Sequence, residues 1–407
     1  MTNEKHRAAA QTPMLEGIRV VEFAALIAGP SCARFLADHG AEVIKIERHP
    51  DGDISRHSFN RHTRGRGPMF MQHNAGKKGM CVDLKADAGK AVALDLIRES
   101  DIVIEAFTPG VMDRLGLGYE ALKRLNPRII MCSVSGFGQT GPNATKPGYA
   151  HVAHATSGWL GLQFLHRDPP EAPRGPGIAI GDTTTGLTAF GAVCAALFAR
   201  ERTAQGKHID IALFDSLFCS NDFSYQHALQ YDGEVEAWYH PVHATLDGYV
   251  TAAVGPDFRA WVNVCKAMGN EAALEDPRFD NHEHVMGHKD EAAALVSEWL
   301  SGITCAEAQE ILNAHHVPCA KVLTVPEAVV QPQVRERGLT SAIEDPVLGA
   351  TTTMNSAFRY RDVDTSVQGP APMLGEHNAA VLKDVLGYSA EQVAQLEAAG
   401  VLTSRDR

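Results

Sequence analysis

Apolar and polar positions along this chain fall into short blocks that switch between a two-residue and a 3.6-residue period. Ile18 to Phe23 (IRVVEF) is a β-branched run followed by Ala28-Gly29-Pro30, where proline favours the start of a helix. Cys32 to Asp38 carries helical spacing that stops at Gly40, and Glu42 to Glu47 (EVIKIE) reads as a second strand. The pattern predicts a βαβ unit and then repeats it. Strands are expected over Met80 to Leu84, Asp101 to Phe107 and Arg128 to Val134, with helices over Ala88 to Glu99 and Tyr119 to Leu125 between them. Strands that are apolar nearly throughout belong to a parallel sheet covered on both faces. The expected fold of this half is therefore α/β, doubly wound and Rossmann-like.

Ser55 to Asn74 reads as a loop rich in His, Arg and Gly. Leu187 to Arg200 reads as a helix dense in Ala and Gly, His208 to Leu213 as a strand, and Asp215 to Tyr231 as one longer helix. Near Gly233 to Pro241 the register changes. A strand over Gly248 to Val254, helices over Phe258 to Met268, Glu291 to Ser301 and Ala306 to His315, a strand over Cys319 to Leu323 and a helix over Pro326 to Arg337 suggest a smaller α+β domain. Thr340 to Arg361 reads as β-hairpins, Gly375 to Leu386 as a helix, and a helix-bearing tail ends at Gly400. The expected division is a discontinuous large domain, 15–232 with 338–407, a small domain, 233–337, and a flexible N-terminal tail, 1–14.

A chain of 407 residues can bury a substantial core, and 44% apolar with 21% charged residues is ordinary for a folded, soluble protein. The formal charge of −12 argues against a general nucleic-acid or membrane-surface binder, because both need a basic face. Met1 to Thr12 is polar with no apolar run behind it, so no secretory signal is expected, and Gly186 to Ala199 is too short to span a bilayer. The eight cysteines, at 32, 81, 132, 194, 219, 265, 305 and 319, show no CxxC spacing and sit mostly in apolar runs. They read as buried thiols of a reducing cytoplasm. The 19 histidines form no metal signature, the nearest groupings being His315-His316, His282 with His284 and His288, and His240 with His243. No metal is expected. A Gly-x-Ser-x-Gly elbow and a P-loop are both absent, which removes the usual signatures of serine and ATP-driven mechanisms.

Three features carry candidate chemistry. The first strand-to-helix turn, Ala25 to Pro30, lacks G-x-G-x-x-G but offers backbone N–H groups at a helix N-terminus; a plain tight turn fits the residues equally well. Basic residues stand near strand ends: Lys45 and Arg48, Lys77 and Lys78, and Arg114. Convergence at the carboxyl edge of the sheet would make an anion site; solvated surface charge is the alternative. Asp182, in Ile178-Ala-Ile-Gly-Asp-Thr-Thr-Thr-Gly186, precedes a helix of small residues. It reads either as that helix's N-cap or as a carboxylate nucleophile close to a substrate.

Several ordered blocks resemble the class III coenzyme A transferases, the CaiB/BaiF type that includes formyl-CoA and L-carnitine CoA-transferases. They are Leu15-Glu-Gly-Ile-Arg-Val-Val-Glu-Phe23, Ala28-Gly-Pro30, Gly40 to Arg48, Pro109 to Gly116, Ser133 to Pro142, Gly181-Asp-Thr-Thr-Thr-Gly186, His208 to Leu213 and Leu374-Gly-Glu-His377. The resemblance runs from about Leu15 to Leu402. It implies an interlocked homodimer and a CoA transfer between an acyl-CoA and a carboxylic acid. By resemblance the catalytic residue is Asp182, acting through an aspartyl anhydride and an aspartyl-CoA thioester. Coenzyme A is implied as part of the substrate, with no tightly bound cofactor. The CoA positions carried over are Ile27 and Ala28 at the pantetheine, Arg48, Asn74, Ala75, Gly76 and Lys77 at the nucleotide, Arg114 at the phosphates, and Ala106, Phe107, Thr108, Phe137 and Gly138 along the path.

The chain departs from the formyl-CoA members, which carry Gln, Lys and Tyr where Ile27, Ser135 and Phe137 stand here. Their glycine-rich loop has no clear counterpart near Ala252 to Asp257. Ser135 to Gln139 and Cys319 to Glu327 look closer to the carnitine type. One alternative of the same fold is an α-methylacyl-CoA racemase, whose Gly-His-Asp histidine is replaced by Tyr149, with His151 two residues on. Another is a non-catalytic CoA-binding protein in which Asp182 only caps a helix.

Overall fold

The computed structural model describes residues 12–58, 64–163, 177–221, 223–231, 233, 241–252 and 258–404. Most of the expected tail 1–14 and the end of the expected Gly248 strand lie outside them. The chain divides into two compact units, Met1–Phe223 with Arg335–Arg407, and Ser224–Val334.

The first unit is built on β1 (Arg19–Phe23), β2 (Glu42–Arg48), β3 (Lys78–Val82), β4 (Ile102–Glu105), β5 (Ile130–Ser135) and β6 (His208–Ala212). All five pairings are parallel, in the order β3-β2-β1-β4-β5-β6. Alternate residues feed opposite faces, as a two-residue period requires. Val21, Ile44, Met80 and Val103 enter one core; Val20, Val43, Ile102 and Ile104 enter the other.

Helices cover both faces: α1 (Ala28–Asp38), α2 (Pro68–Asn74), α3 (Asp87–Arg98), α4 (Val111–Arg114), α5 (Tyr119–Leu125), α6 (Ala150–Thr156), α7 (Trp159–Leu162), α8 (Ile180–Thr203) and α9 (Leu213–Cys219); α10 (Phe223–Gln230) follows them in the chain. In α3, Val92, Ala93, Leu96 and Ile97 form the inward stripe, with Asp87 and Arg98 matched in sign to the two ends of the helix dipole. α8 is long and apolar enough, by length and composition alone, to cross a membrane, yet its Ala189, Phe190 and Val193 lie in the core with Leu36 of α1. Its approach to α1 requires glycine: a Cβ on Gly186 would fall 2.7 Å from that of Ser31 and 3.0 Å from the Ala28 carbonyl oxygen.

The second unit contains the antiparallel sheet β7 (Val242–Thr245), β8 (Gly248–Ala252) and β9 (Cys319–Lys321). Its core gathers around the fully buried Trp261 of α11 (Phe258–Met268), followed by α12 (His282–Gly287), α13 (Lys289–Leu300) and α14 (Cys305–Ala314). Thr304 and Glu307 close α14 with a capping box. After α15 (Val325–Val329) and α16 (Pro332–Glu336) come the single hairpin β10 (Thr340–Asp345) and β11 (Gly349–Met354), then α17 (Asn378–Asp384) and α18 (Ala390–Ala398). This return covers the open edge of the parallel sheet. The β3 N–H groups of Gly79 and Cys81 donate to His377 Nδ1 and Asn378 Oδ1, and the Thr403 N–H donates to the Cys81 carbonyl.

Four local expectations are corrected. The predicted loop Ser55 to Asn74 contains a 3₁₀ turn, Ile54–His57, capped by Asp53, and α2, which starts on Pro68. The helix predicted over Asp215 to Tyr231 breaks into α9 and α10, where the side chains of Ser220 and Asn221 bond back to the Ser216 and Leu217 carbonyls and end the first helix. The one over Pro326 to Arg337 breaks before Pro332, which cannot continue a hydrogen-bond ladder. α8 begins at Ile180 rather than Leu187, so Asp182 stands inside its first turn.

A buried clip joins the segment before α2 to the return. Arg66 donates from Nε (3.0 Å) and Nη2 to Asp345, and from Nη2 to the Ala371 carbonyl at 2.8 Å, with both side chains out of water. Burial alone would raise the Asp345 pKa, but Arg66 and the N–H groups of Val347 and Leu348 carry it below the ordinary carboxylate value. That contribution is present near neutral pH and is lost as pH falls through the lowered pKa. We expect Asp345→Ala to remove about 3–5 kcal/mol of stability in urea unfolding. The double variant Arg66→Met/Asp345→Leu should lose less than either single change, because no charge is left alone in the core.

Candidate active site

Ligands of open parallel sheets sit beyond the carboxyl ends of the strands where the strand order reverses, which here lies between β1 and β4. A cavity of about 240 Å³ opens there. Ala25, Leu26, Ala28 and Gly29 from the β1–α1 turn line one side, Ala106 to Pro109 after β4 another, and Asp182 reaches it from α8. Gly29 fits the junction because a Cβ there would stand 2.4 Å from that of Ala24 and 3.4 Å from that of Ala106.

Ala179 precedes α8 without a side-chain cap, and the Asp182 carboxylate is drawn toward its ionised form by the backbone N–H groups of Ala28, the first residue of α1, and of Asp182 itself. One carboxylate thus lies at the N-terminal turns of two helices. Burial pushes its pKa up to about 6, while the Ala28 N–H, its own N–H and the nearby His151 pull the other way. The α8 start is fixed by His154 of α6, whose Nε2 accepts the Gly181 N–H at 3.0 Å. That bond requires the neutral ring with its proton on Nδ1, and burial, followed by His151, lowers the His154 pKa accordingly.

The β4 side is held by Glu105. Its carboxylate accepts the Phe107 N–H at 2.8 Å, and burial raises its pKa to about 6 against the pull of Ser133 and that N–H. Phe107 and Thr108 are thereby tied to the strand end.

Of the residues carried over for CoA, Ala28, Ala106, Phe107 and Thr108 share the cavity with Asp182. Ile27 is the part-buried residue just before α1. Phe137 packs on Phe214, and Gly138, at φ 84°, donates to Ser135 Oγ; these residues shape the loop after β5 rather than the cavity wall. Arg48 and Arg114 are exposed, at the ends of β2 and α4. Ala75 is buried, and Gly76, at φ 75°, donates its N–H to the Pro370 carbonyl.

The basic edge expected from the sequence needs correction. Lys45 and Lys77 are interior side chains, 0% and 4% exposed, and Asn74 is also fully buried. Lys45 Nζ contacts Glu22 Oε1 at 2.9 Å, the Ala24 carbonyl at 2.6 Å and Asp53 at 3.0 Å. Lys77 Nζ contacts Glu22 Oε2 at 2.6 Å, and the Pro30 carbonyl and Asn74 Oδ1 at 3.0 Å each. Lys77 has three acceptors, Lys45 has two and the ion pair with Asp53, and neither ammonium group reaches solvent. The physical reason is Glu22, a buried carboxylate on the central strand that demands cationic partners. Lys78 is part-exposed and pairs with Glu42.

Lys146, Ser135 and Tyr149 also line the cavity, and sequence reasoning had not singled out Lys146. It sits in a loop of Gly, Pro, Thr and Asn with no periodicity to give it a direction, so only the fold shows where it lies. Among the described residues no group of three or more His, Cys, Asp or Glu is placed to hold a metal ion.

The model of CoA-transferase family III matches residues 15–378. The succinyl-CoA–D-citramalate CoA-transferase of Chloroflexus aurantiacus is 31% identical over 95% of this chain and 98% of its own length. The human succinyl-CoA:glutarate CoA-transferase is 29% identical over 96% of this chain and 90% of its own. The crystal structure of a CAIB/BAIF family protein from Brucella suis superposes with a TM-score of 0.80 at 29% identity, covering 92% of this chain and 100% of that one. With sheet order, cavity and family match in agreement over nearly the whole chain, the protein belongs to CoA-transferase family III and is a class III CoA-transferase.

Proposed function

We propose that the protein moves CoA from an acyl-CoA donor, of the succinyl-CoA type, to a carboxylic acid acceptor through covalent intermediates on Asp182. The observation that carries this reading is a single one: a part-buried carboxylate, with its pKa near 6, on the wall of the switch-point cavity. At neutral pH it is ionised, and loss of water around it makes it a better nucleophile than a solvated carboxylate.

In the proposed sequence an Asp182 oxygen attacks the thioester carbonyl, the C–S bond breaks, and CoA leaves as the thiolate with an acyl-aspartyl anhydride in place. The thiolate then attacks the aspartyl carbonyl, forming aspartyl-CoA and releasing the donor as its carboxylate. An acceptor carboxylate attacks aspartyl-CoA, giving a second anhydride and the thiolate again. The thiolate attacks the acceptor carbonyl, and acyl-CoA leaves with Asp182 restored. No water or ATP enters, and thioester energy is conserved. Ala28, Ala106, Phe107 and Thr108 are the wall along which the pantetheine arm runs in this reading, with Ile27, Phe137 and Gly138 behind it. Arg114 and Arg48 take the phosphates and nucleotide, near Asn74 to Lys77. No tightly bound cofactor is called for.

A homodimer is part of the same proposal. α8 leaves Leu187 and Phe198 exposed, 43% and 62%, and eleven residues apart they share one helix face. Phe218 and Phe223 are exposed nearby in sequence on α9 and α10. A second copy of the chain covering these residues accounts for them, and interlocking follows the family resemblance. Eight free cysteines, most of them out of water, agree with a cytoplasmic location.

A second reading, proton exchange at the carbon next to the thioester, draws support from His151 lying close enough to Asp182 to influence its charge. Incubating a 2-methylacyl-CoA with the enzyme in deuterated water separates the two: a transferase leaves the α-position unlabelled.

Asp182→Asn should reduce transfer by more than about 10³-fold, as removal of a covalent nucleophile does, and should abolish the hydroxylamine-trapped adduct at that residue. Retained transfer in that variant rules the mechanism out. Because Asp182 must be ionised to attack, kcat/KM of the native enzyme should rise with pH to a plateau, with an acid limb near the Asp182 value of about 6. Light scattering should give twice the mass of one chain.

A further inference from the structure

We infer that the buried array Glu22–Lys45–Asp53–Lys77 is a positioning device for the nucleophile: it holds the β1–α1 turn, with Ala28 at the start of α1, in place on the cavity wall that Asp182 shares. This rests on Asp182 being the nucleophile, and it assigns a role to four charged residues, none of which reaches the cavity.

The turn needs holding. Leu26 sits at φ 68°, the left-handed region that a branched side chain enters rarely and at a cost. Its N–H is held by Asp53 Oδ1 at 3.3 Å. Lys45 takes the Ala24 carbonyl before it, and Lys77 takes the Pro30 carbonyl in the first turn of α1. The array therefore grips the segment before, at and after the residues that face the cavity. Its members are fixed in turn: Glu22 accepts from both lysines, and Asp53 accepts from the Ser55 N–H and hydroxyl at 2.9 and 2.7 Å. A clip made of rigid, mutually neutralised charges resists displacement where an apolar packing would slide. The Ala28 end of the turn is then fixed beside Asp182 on the cavity wall, where its N–H favours the ionised form that attacks.

The sign of the charge effect makes this testable. Asp53→Ala removes a negative charge, which by electrostatics alone would lower the Asp182 pKa. Loss of the Leu26 tether, with the Ala28 donor displaced, raises it. Asp53→Asn removes the same charge but keeps an oxygen for Leu26. The other titratable groups on elements packed against α8 are His151 and His154 on α6, Asp215 and Cys219 on α9, His208 and Asp210 on β6, Cys132 on β5, and Cys32, Arg34 and Asp38 on α1. Lys146 and Tyr149 stand on the cavity wall. All remain in both variants.

The acid limb of kcat/KM is measured for native enzyme, Asp53→Ala and Asp53→Asn. Asp53→Ala should move the limb upward by about one pH unit, the size of a lost backbone donor, with a lower plateau; Asp53→Asn should leave the limb at or below its native place. A limb that stays put in Asp53→Ala, with only the melting temperature reduced, overturns the inference. If Asp53→Ala does not fold, hydrogen exchange in the native protein decides: the Leu26 and Ala28 amides should exchange only through large-scale opening, and exchange at a free-loop rate overturns it. Hydroxylamine trapping separates the two layers, since no Asp182 adduct in the native enzyme defeats the aspartyl mechanism itself, whereas a native adduct with an unmoved limb defeats only the positioning role.

Discussion

Glu22 is a carboxylate in the middle of a parallel sheet, with no water and two ammonium groups upon it. Desolvating such a set costs several kcal/mol per ion, and geometry must be nearly complete to offset that. Here it is nearly so: Lys77 donates to three acceptors, and Lys45 donates to two and pairs with Asp53 at 3.0 Å. Burial acts against both charges. Glu22 and Asp53 overcome it at Lys45, whose pKa is held above its usual value, while the Lys77 value falls to about 8. An array of this kind contributes less as net stability than as specification, since a shifted turn leaves a bare charge in the core.

The cavity inherits that specification. Its floor combines two helix starts, of α1 and α8, brought together by glycine at 186 and sharing one carboxylate. An aspartate whose charge answers to a neighbouring helix as well as to its own is tied to tertiary structure. Its protonation then reports whether the two helices are correctly docked. The loop after β4 is fixed separately, through the raised carboxyl of Glu105. The two walls of the cavity thus rest on independent buried acids from adjacent strands.

Much of this was legible in the chain. The strands are short β-branched runs with both parities apolar, and all six recur close to where periodicity puts them. Composition could not say which way a lysine points. Lys45 in EVIKIE looks like an alternating surface residue, and only the partner strand, with Glu22 at the same level, turns it inward. Register between strands is a property of the sheet and is absent from any one segment. The same holds for Asp182: small residues around it signalled close approach, but the helix start at Ile180 depends on His154, 27 residues from Gly181, and the approach of Ala28 on a part of the chain more than 150 residues away. Helix breaks at Ser220 and Pro332 were local, and the second was visible as a proline.

The β3 edge has a consequence for the order in which the protein is made. Strands β1 to β6 are complete by Ala212, yet Gly79 and Cys81 find their outer partners only at His377, Asn378 and Thr403. During synthesis the catalytic sheet exists with one side unpaired for most of the time the ribosome takes to finish the chain. An unpaired strand is a template for another chain. The closing segment is therefore the seal that ends the nascent sheet's exposure, and a chain stalled before His377 would carry its cavity on a sheet still open to its neighbours.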